Sequence, residues 1–239
     1  MFLTFDLKLH CLQDYEIWKI ISYRLSLTTV KIYILLKKEE MYSTTWNPKT
    51  AIYIAKNDET AIINQWGGEC IFNSFASNQR GVAILLSDNF ENKILNTKKD
   101  DCGNLLGVDI EIEGKKITLI NIYGPNNDTP LFYNKDSETI EYSNNQSIIP
   151  TGDYNLVQNQ RLDTYNCVGI NNPKAKDKVL DMIEIYNLTD PFRELYPDHH
   201  RRHTWRKHTP LKQTILDFFL ISQSFNHQVH DAKIIIIKY

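Results

Sequence analysis

The chain has 239 residues and a formal net charge of −2, enough length for one large domain with a sizeable core and too little positive charge for a uniformly basic nucleic-acid module. Cys11, Cys70, Cys102 and Cys167 are far apart and form no Cys-x-x-Cys pair, which excludes an obvious zinc site or disulfide framework and suits a reducing compartment. The longest apolar runs, such as 234–237, are too short to span a bilayer, and Met1–Leu9 carries Asp6 and Lys8 with no cleavable signal pattern, so the expectation is a soluble, intracellular monomer with no membrane partner.

In chain order, the first expected strand is 7–12. Residues 15–60 read as helix: 17–36 is apolar without clean periodicity, and Lys37-Lys38-Glu39-Glu40 is a solvated charge cluster. Strands follow at 81–86, 105–112 and 116–123, the last two joined by a hairpin turn at Glu113-Gly114, and then at 147–152. Pro150 sits inside that last strand, where it removes a ladder donor. Asn172-Pro173 opens the clearest helix, with Asn172 as cap and an apolar face of Ala175, Val179, Met182, Ile183 and Tyr186. Asp190-Pro191 repeats the start signal for a short helix through Leu195. Strands at 216–222 and 233–238 complete an α/β pattern: a mixed-sheet sandwich with helical cover.

The chemistry concentrates where apolar runs break into polar turns, at 119–126 and at Thr151-Gly152-Asp153-Tyr154-Asn155. Buried strands of α/β proteins deliver functional groups at such C-terminal edges. An acid (Asp153) and an amide (Asn155) two residues apart can share a hard cation and a phosphate oxygen, which points to phosphodiester chemistry. The histidine-rich stretch 199–208 is a poor zinc site, because adjacent loop histidines rarely converge on one ion. As a cationic loop containing Trp205, it is better suited to phosphate contact or groove insertion.

Taken as an ordered set, these motifs resemble the endonuclease/exonuclease/phosphatase superfamily, specifically the apurinic-like endonuclease domain of non-LTR (LINE-type) retrotransposons. The matching residues are 80–85 (Arg-Gly-Val-Ala-Ile-Leu), 121–126 (Asn-Ile-Tyr-Gly-Pro-Asn), 152–155 (Gly-Asp-Tyr-Asn), 190–193 (Asp-Pro-Phe-Arg), 196–198 (Tyr-Pro-Asp), Thr204-Trp205 and 216–222 (Leu-Asp-Phe-Phe-Leu-Ile-Ser). The resemblance implies a DNase I-like four-layer sandwich of two mixed, mostly antiparallel sheets flanked by helices. It also implies a DNA-nicking activity with Mg²⁺, or Mn²⁺ in its place, that leaves a 3′-hydroxyl to prime reverse transcription. A reverse transcriptase domain in the parent element would be a partner beside DNA.

Residue by residue, it implies that Asp153 activates water or binds metal, Asn155 holds the scissile phosphate, and Tyr123 donates its hydroxyl to the phosphate or developing charge. Asp217 matches the acid that orients a catalytic histidine, and Asp14, at the end of Cys11-Leu12-Gln13-Asp14, stands where the family has a metal-binding Glu. Arg80, Arg201, Arg202, Thr204, Trp205, Arg206 and Lys207 are the DNA-contact candidates. Two parts of the pattern have no counterpart: the opening Asn-x-x-Gly strand and the closing Ser-Asp-His strand. The expected organisation is therefore a divergent segment 1–60 followed by an endonuclease-like domain 61–239 lacking its final strand, degenerate or inactive as it stands. The alternatives are a non-catalytic DNA-binding remnant or another phosphoesterase of the superfamily, acting at abasic sites or as a phosphatase.

Overall fold

The computed structural model describes residues 2–7, 18–26, 29–37, 56, 59–66, 68–75, 81–86, 92–112, 114–143, 145, 147–169, 171–198 and 203–234. Elements run β1 (Phe2–Leu7), β2 (Trp18–Ser26), β3 (Thr29–Lys37), α1 (Glu59–Trp66), β4 (Glu69–Ser74), β5 (Gly81–Leu86), β6 (Asn92–Lys99), β7 (Leu105–Ile112) and β8 (Lys115–Tyr123). A 3₁₀ turn (Pro130–Tyr133) leads into α2 (Asn134–Ser143), then β9 (Ile148–Asp153), α3 (Gln160–Asp163), β10 (Thr164–Tyr165), α4 (Pro173–Ile185), β11 (Leu188–Thr189) and α5 (Pro191–Leu195). The rest is β12 (Trp205–His208), β13 (Leu211–Thr214), β14 (Asp217–Phe219), β15 (Ile221–Ser222) and β16 (Val229–Ile234).

Two sheets form the body. One has the order β16-β1-β2-β3-β5-β4 and the other β14-β9-β8-β7-β6. Neighbours are antiparallel except β1–β16 and β8–β9. Val82, Ile84 and Leu86 of β5 pack against Leu106, Val108 and Ile110 of β7 and Leu119 of β8, which places the main core between the sheets. The outer face of the five-stranded sheet (Leu105, Ile120, Ile122, Ile148) is covered by Ile140 of α2 and Ala175, Val179 and Met182 of α4. On the other side, Ile62 of α1 covers Ala83 and Leu85. The result is helix, sheet, sheet, helix: the α/β four-layer sandwich. A strand covered on both faces needs apolar residues at every position, and β5 is buried throughout.

Some local expectations hold, and others change. β5 and β7 have the expected bounds, and Gly114 supplies the positive φ (75°) of the β7–β8 turn. Residues 18–26 and 29–37, expected as helix, pair instead as antiparallel strands. Their many β-branched and aromatic residues lose rotamer freedom in a helix and fit a pleated surface, and β3 finds a partner in β5. The strand 216–222 divides at Leu220. Opposite it lies Pro150, whose carbonyl accepts from the Leu220 N–H (2.7 Å) but which has no N–H to return. β15 then turns away to pair with β11.

Helix α4 starts at Pro173 as expected, but Asn172 does not cap it. Asn172 is left-handed (φ 49°) and makes no side-chain cap. The carboxylate of Asp128 takes that role from the 124–129 loop, accepting from the N–H groups of Ala175 (2.8 Å) and Lys174 (3.2 Å). Asp190 does cap α5, accepting from Phe192 and Arg193 N–H groups at 3.0 and 3.1 Å.

Candidate active site

Register brings three of the expected site residues into one row. Tyr123 at the end of β8 pairs with Asp153 at the end of β9, and Asp153 pairs with Asp217 at the start of β14. Adjacent strands lie about 4.8 Å apart, and residues in register point to the same face. That face is the one between the sheets, since Tyr123 belongs to the inter-sheet core. Parallel pairing aligns the C-terminal ends of β8 and β9, and antiparallel β14 adds its beginning to the same edge. All three residues are buried: Tyr123 is 4%, Asp153 7% and Asp217 3% exposed.

Asn155 follows the row in a left-handed turn (φ 50°), a conformation Asn tolerates better than most residues. Its N–H donates to Asp153 Oδ1 (2.9 Å), and its Nδ2 donates to the Gly124 carbonyl (2.6 Å). An amide nitrogen carries two N–H groups, and this bond uses one of them. The Asn155 carbonyl accepts from Nδ2 of both Asn171 and Asn172, each at 2.8 Å. Asn172 thus commits its Nδ2 to the site loop, and its left-handed backbone departs from the extended conformation of an N-cap. Gly124 N–H donates to the Asp153 carbonyl (2.7 Å), tying together the turns after β8 and β9.

Thr204, a DNA-contact candidate in the sequence, faces the start of β14. Its hydroxyl oxygen accepts from the N–H groups of Leu216 (2.9 Å) and Asp217 (3.2 Å). Trp205, Arg206 and Lys207 lie on β12, which pairs with β13 and through it with β10 in a small ribbon. Arg206 is exposed and is steadied by Gln213, whose amide oxygen accepts from Nε (2.7 Å) and Nη2 (2.6 Å) in the orientation that satisfies both groups. The three strands carry no acidic residue, so the ribbon presents net positive charge. Asp14, Arg80, Arg201 and Arg202 lie outside the described residues.

A pocket beside the row is lined by Asp217, Asp163, Asp190, Arg193, Phe192 and Gln158. Arg193 forms an ion pair with Asp163, which also accepts from the Asn159 N–H (2.8 Å). Asp163 and Arg193 carry no expected site role, although Arg193 belongs to the matching stretch 190–193. The Asp190-Pro191 start signal was visible, but Asp163 sits in a plain Arg-Leu-Asp run and meets Arg193 only through the fold.

Burial raises the Asp190 carboxyl from 3.8 to about 6, against lowering by the Arg193 backbone N–H and charge. Between those two values the folded chain holds a proton that the unfolded chain has lost, so Asp190 makes stability fall as pH rises through that window. Asp136 acts with the same sign: it is wholly buried, neither oxygen has a hydrogen-bond partner among the described residues, and burial raises its pKa well above the usual value. Asp190→Asn keeps a cap at α5 and removes the Asp190 titration. Urea melts from pH 4 to 7 are expected to show a shallower loss of stability in the variant, and an unchanged slope would contradict the assignment.

Among the described residues, no group of three or more His, Cys, Asp or Glu side chains could hold a metal ion by themselves. Asp153 and Asp217 nevertheless offer two hard carboxylates at one edge. That donor set fits Mg²⁺, which takes one or two carboxylates and completes its shell with water and phosphate oxygens. No helix among the described residues is long and apolar enough to cross a membrane.

No protein-family model matches the chain. A stretch of 141 residues is 26% identical to the transposon TX1 uncharacterized 149 kDa protein of Xenopus laevis, covering 56% of this chain and 10% of that protein. The apurinic (AP) endonuclease LMAP from Leishmania major superposes with a TM-score of 0.56 at 15% identity, over 73% of this chain and 68% of that one. The 3′ phosphatase NExo from Neisseria, bound to product DNA hairpin, superposes with a TM-score of 0.54 at 16% identity, over 73% and 74%. The chain therefore has the DNase I-like fold of the apurinic endonuclease/exonuclease/phosphatase proteins, and more than half of it is similar in sequence to a transposon protein.

Proposed function

We propose that this chain is the endonuclease part of a mobile element and hydrolyses a DNA phosphodiester bond to leave a nick with a 3′-hydroxyl. The observation that carries this reading is the row Tyr123, Asp153 and Asp217 in register at one sheet edge, with Asn155 tied to Asp153. In this reading Asp153 orients the attacking water or holds Mg²⁺, with Asp217 as a second carboxylate beside it. Asn155 offers its remaining N–H to the scissile phosphate, and the Tyr123 hydroxyl donates to the oxygen on which charge develops. Bound Mg²⁺, or Mn²⁺ in its place, would supply charge neutralisation at the phosphate and a more acidic water.

Duplex DNA is the proposed partner, with the β12–β13 ribbon supplying cations and Trp205 beside the site. Likeness to a transposon protein supports a parent element whose reverse transcriptase extends the 3′-hydroxyl. Access to chromosomal DNA makes an intracellular location part of the proposal. A second reading, hydrolysis at abasic sites or of 3′-phosphates, is favoured by the resemblance to LMAP and NExo in fold. Supercoiled plasmid incubated with the protein and Mg²⁺ is expected to become open circles, and chelation of the metal is expected to stop it. Turnover of abasic or 3′-phosphate oligonucleotides with intact plasmid left untouched would favour the second reading. A chain that binds plasmid and cleaves none of these substrates would be a non-catalytic remnant.

A further inference from the structure

Tyr133 belongs to no expected site, yet it is almost wholly buried directly behind the row. Its hydroxyl donates to the Tyr154 carbonyl at 2.5 Å. The same peptide unit carries the Asn155 N–H, which donates to Asp153 Oδ1 at 2.9 Å. One peptide plane is thus gripped at both ends, by a phenol on one side and by the Asp153 carboxylate on the other. The Tyr154 N–H is held as well, by the Leu216 carbonyl (2.9 Å), next to Asp217.

Aromatic packing reinforces that grip. The Tyr133 and Tyr154 rings lie nearly parallel with centroids 6.2 Å apart, and the Tyr154 and Phe218 rings stack at 4.1 Å. Tyr154 stands between Asp153 and Asn155, and Phe218 follows Asp217. The stack therefore backs both acid-bearing strands from the face opposite the row. Gly124 fits the same arrangement: a Cβ there would lie 2.5 Å from the Tyr133 hydroxyl and 2.6 Å from the Tyr154 carbonyl oxygen.

We infer that Tyr133 is a positioning residue for the proposed hydrolysis: its hydroxyl fixes the 154–155 peptide plane and through it aims the Asp153 carboxylate and the Asn155 side chain. This inference rests on the proposed endonuclease reading, and its effect runs through the backbone, since Tyr133 itself touches no reacting group. Hydrogen bonds relayed through one peptide unit polarise each other, so loss of the phenol weakens the bond from Asn155 N–H to Asp153.

The test is Tyr133→Phe, which keeps the ring stack and removes one donor. A lost buried hydrogen bond of ordinary strength corresponds to roughly a tenfold change in local opening. Amide exchange at Asn155 and Gly124 is expected to accelerate about tenfold, with exchange in β7 and α4 unchanged. The nicking kcat is expected to fall about tenfold with KM the same, as for a group that orients a reacting side chain without binding substrate. A uniform rise in exchange across the molecule, or a variant with unaltered kcat, overturns the inference. If the unmodified protein does not nick, the endonuclease reading fails by itself, and exchange at Asn155 alone decides whether Tyr133 holds the loop. Should Tyr133→Phe not fold, Gly124→Ala disturbs the same contact from the other side and is expected to give the same localised exchange signature. Wild-type exchange in that variant would equally count against the inference.

Discussion

Asp153→Asn is expected to reduce plasmid nicking by at least about a thousandfold while leaving duplex binding within about twofold. The substitution preserves shape and the acceptor for the Asn155 N–H, so the loop remains tied. What disappears is the negative charge at the centre of the row, flanked by Tyr123 on one strand and Asp217 on the other. Without it the site loses the group proposed to hold a hard cation or activate water. Electrophoretic mobility shift and nicking assays on the same preparation separate the two effects. A variant that nicks at the wild-type rate would remove Asp153 from the chemistry, and with it the main support for an endonuclease centred on this edge.

Gly152→Ala is expected to be the most destabilising single substitution near the site, by about 3 kcal/mol or more. Gly152 has φ 140°, a region that residues with a Cβ rarely enter. A Cβ built there lies 2.0 Å from the Ile122 carbonyl oxygen and 2.8 Å from its nitrogen, and both are backbone atoms of the neighbouring parallel strand. No rotamer change relieves such a contact. β9 would have to separate from β8, and it also pairs with β14, so both halves of the row would shift. Domains of this size are stable by only about 5–15 kcal/mol, so the loss would show clearly as a lower urea midpoint. An unchanged midpoint would mean that the strand relaxes where the packing says it cannot.

These expectations show how unevenly the structure could be read in advance. β5, β7 and α4 were legible because each carries its burial pattern locally: an unbroken apolar run, a run ending at a glycine turn, and a helical apolar stripe after Asn-Pro. The antiparallel pair 18–26 and 29–37 was not. Its apolar residues follow no clean period, and its strand character depends on β5 offering an edge for β3. The division at Leu220 was half visible in Pro150, whose missing donor could be foreseen but whose partner could not. The role of Asp128 at α4 was invisible for the same reason, since a cap supplied by a residue 47 positions away leaves no local mark.

At the site the boundary is equally sharp. The amino-acid sequence by itself determined the residue types and their edges: an acid and an amide after one apolar run, a tyrosine after another, and an acid opening a third. Those follow from short-range rules, because a polar turn that ends a buried strand must sit at the rim of a sheet. Only the tertiary structure decided that the three edges coincide, because strand order and register are set by long-range pairing and core packing. It also decided that Thr204 turns inward to the start of β14 and that Asp163 finds Arg193. The grip of Tyr133 on the Tyr154 carbonyl belongs to the same class. Each of these contacts joins residues distant in the chain, and each is favoured because a polar group buried without a partner costs free energy.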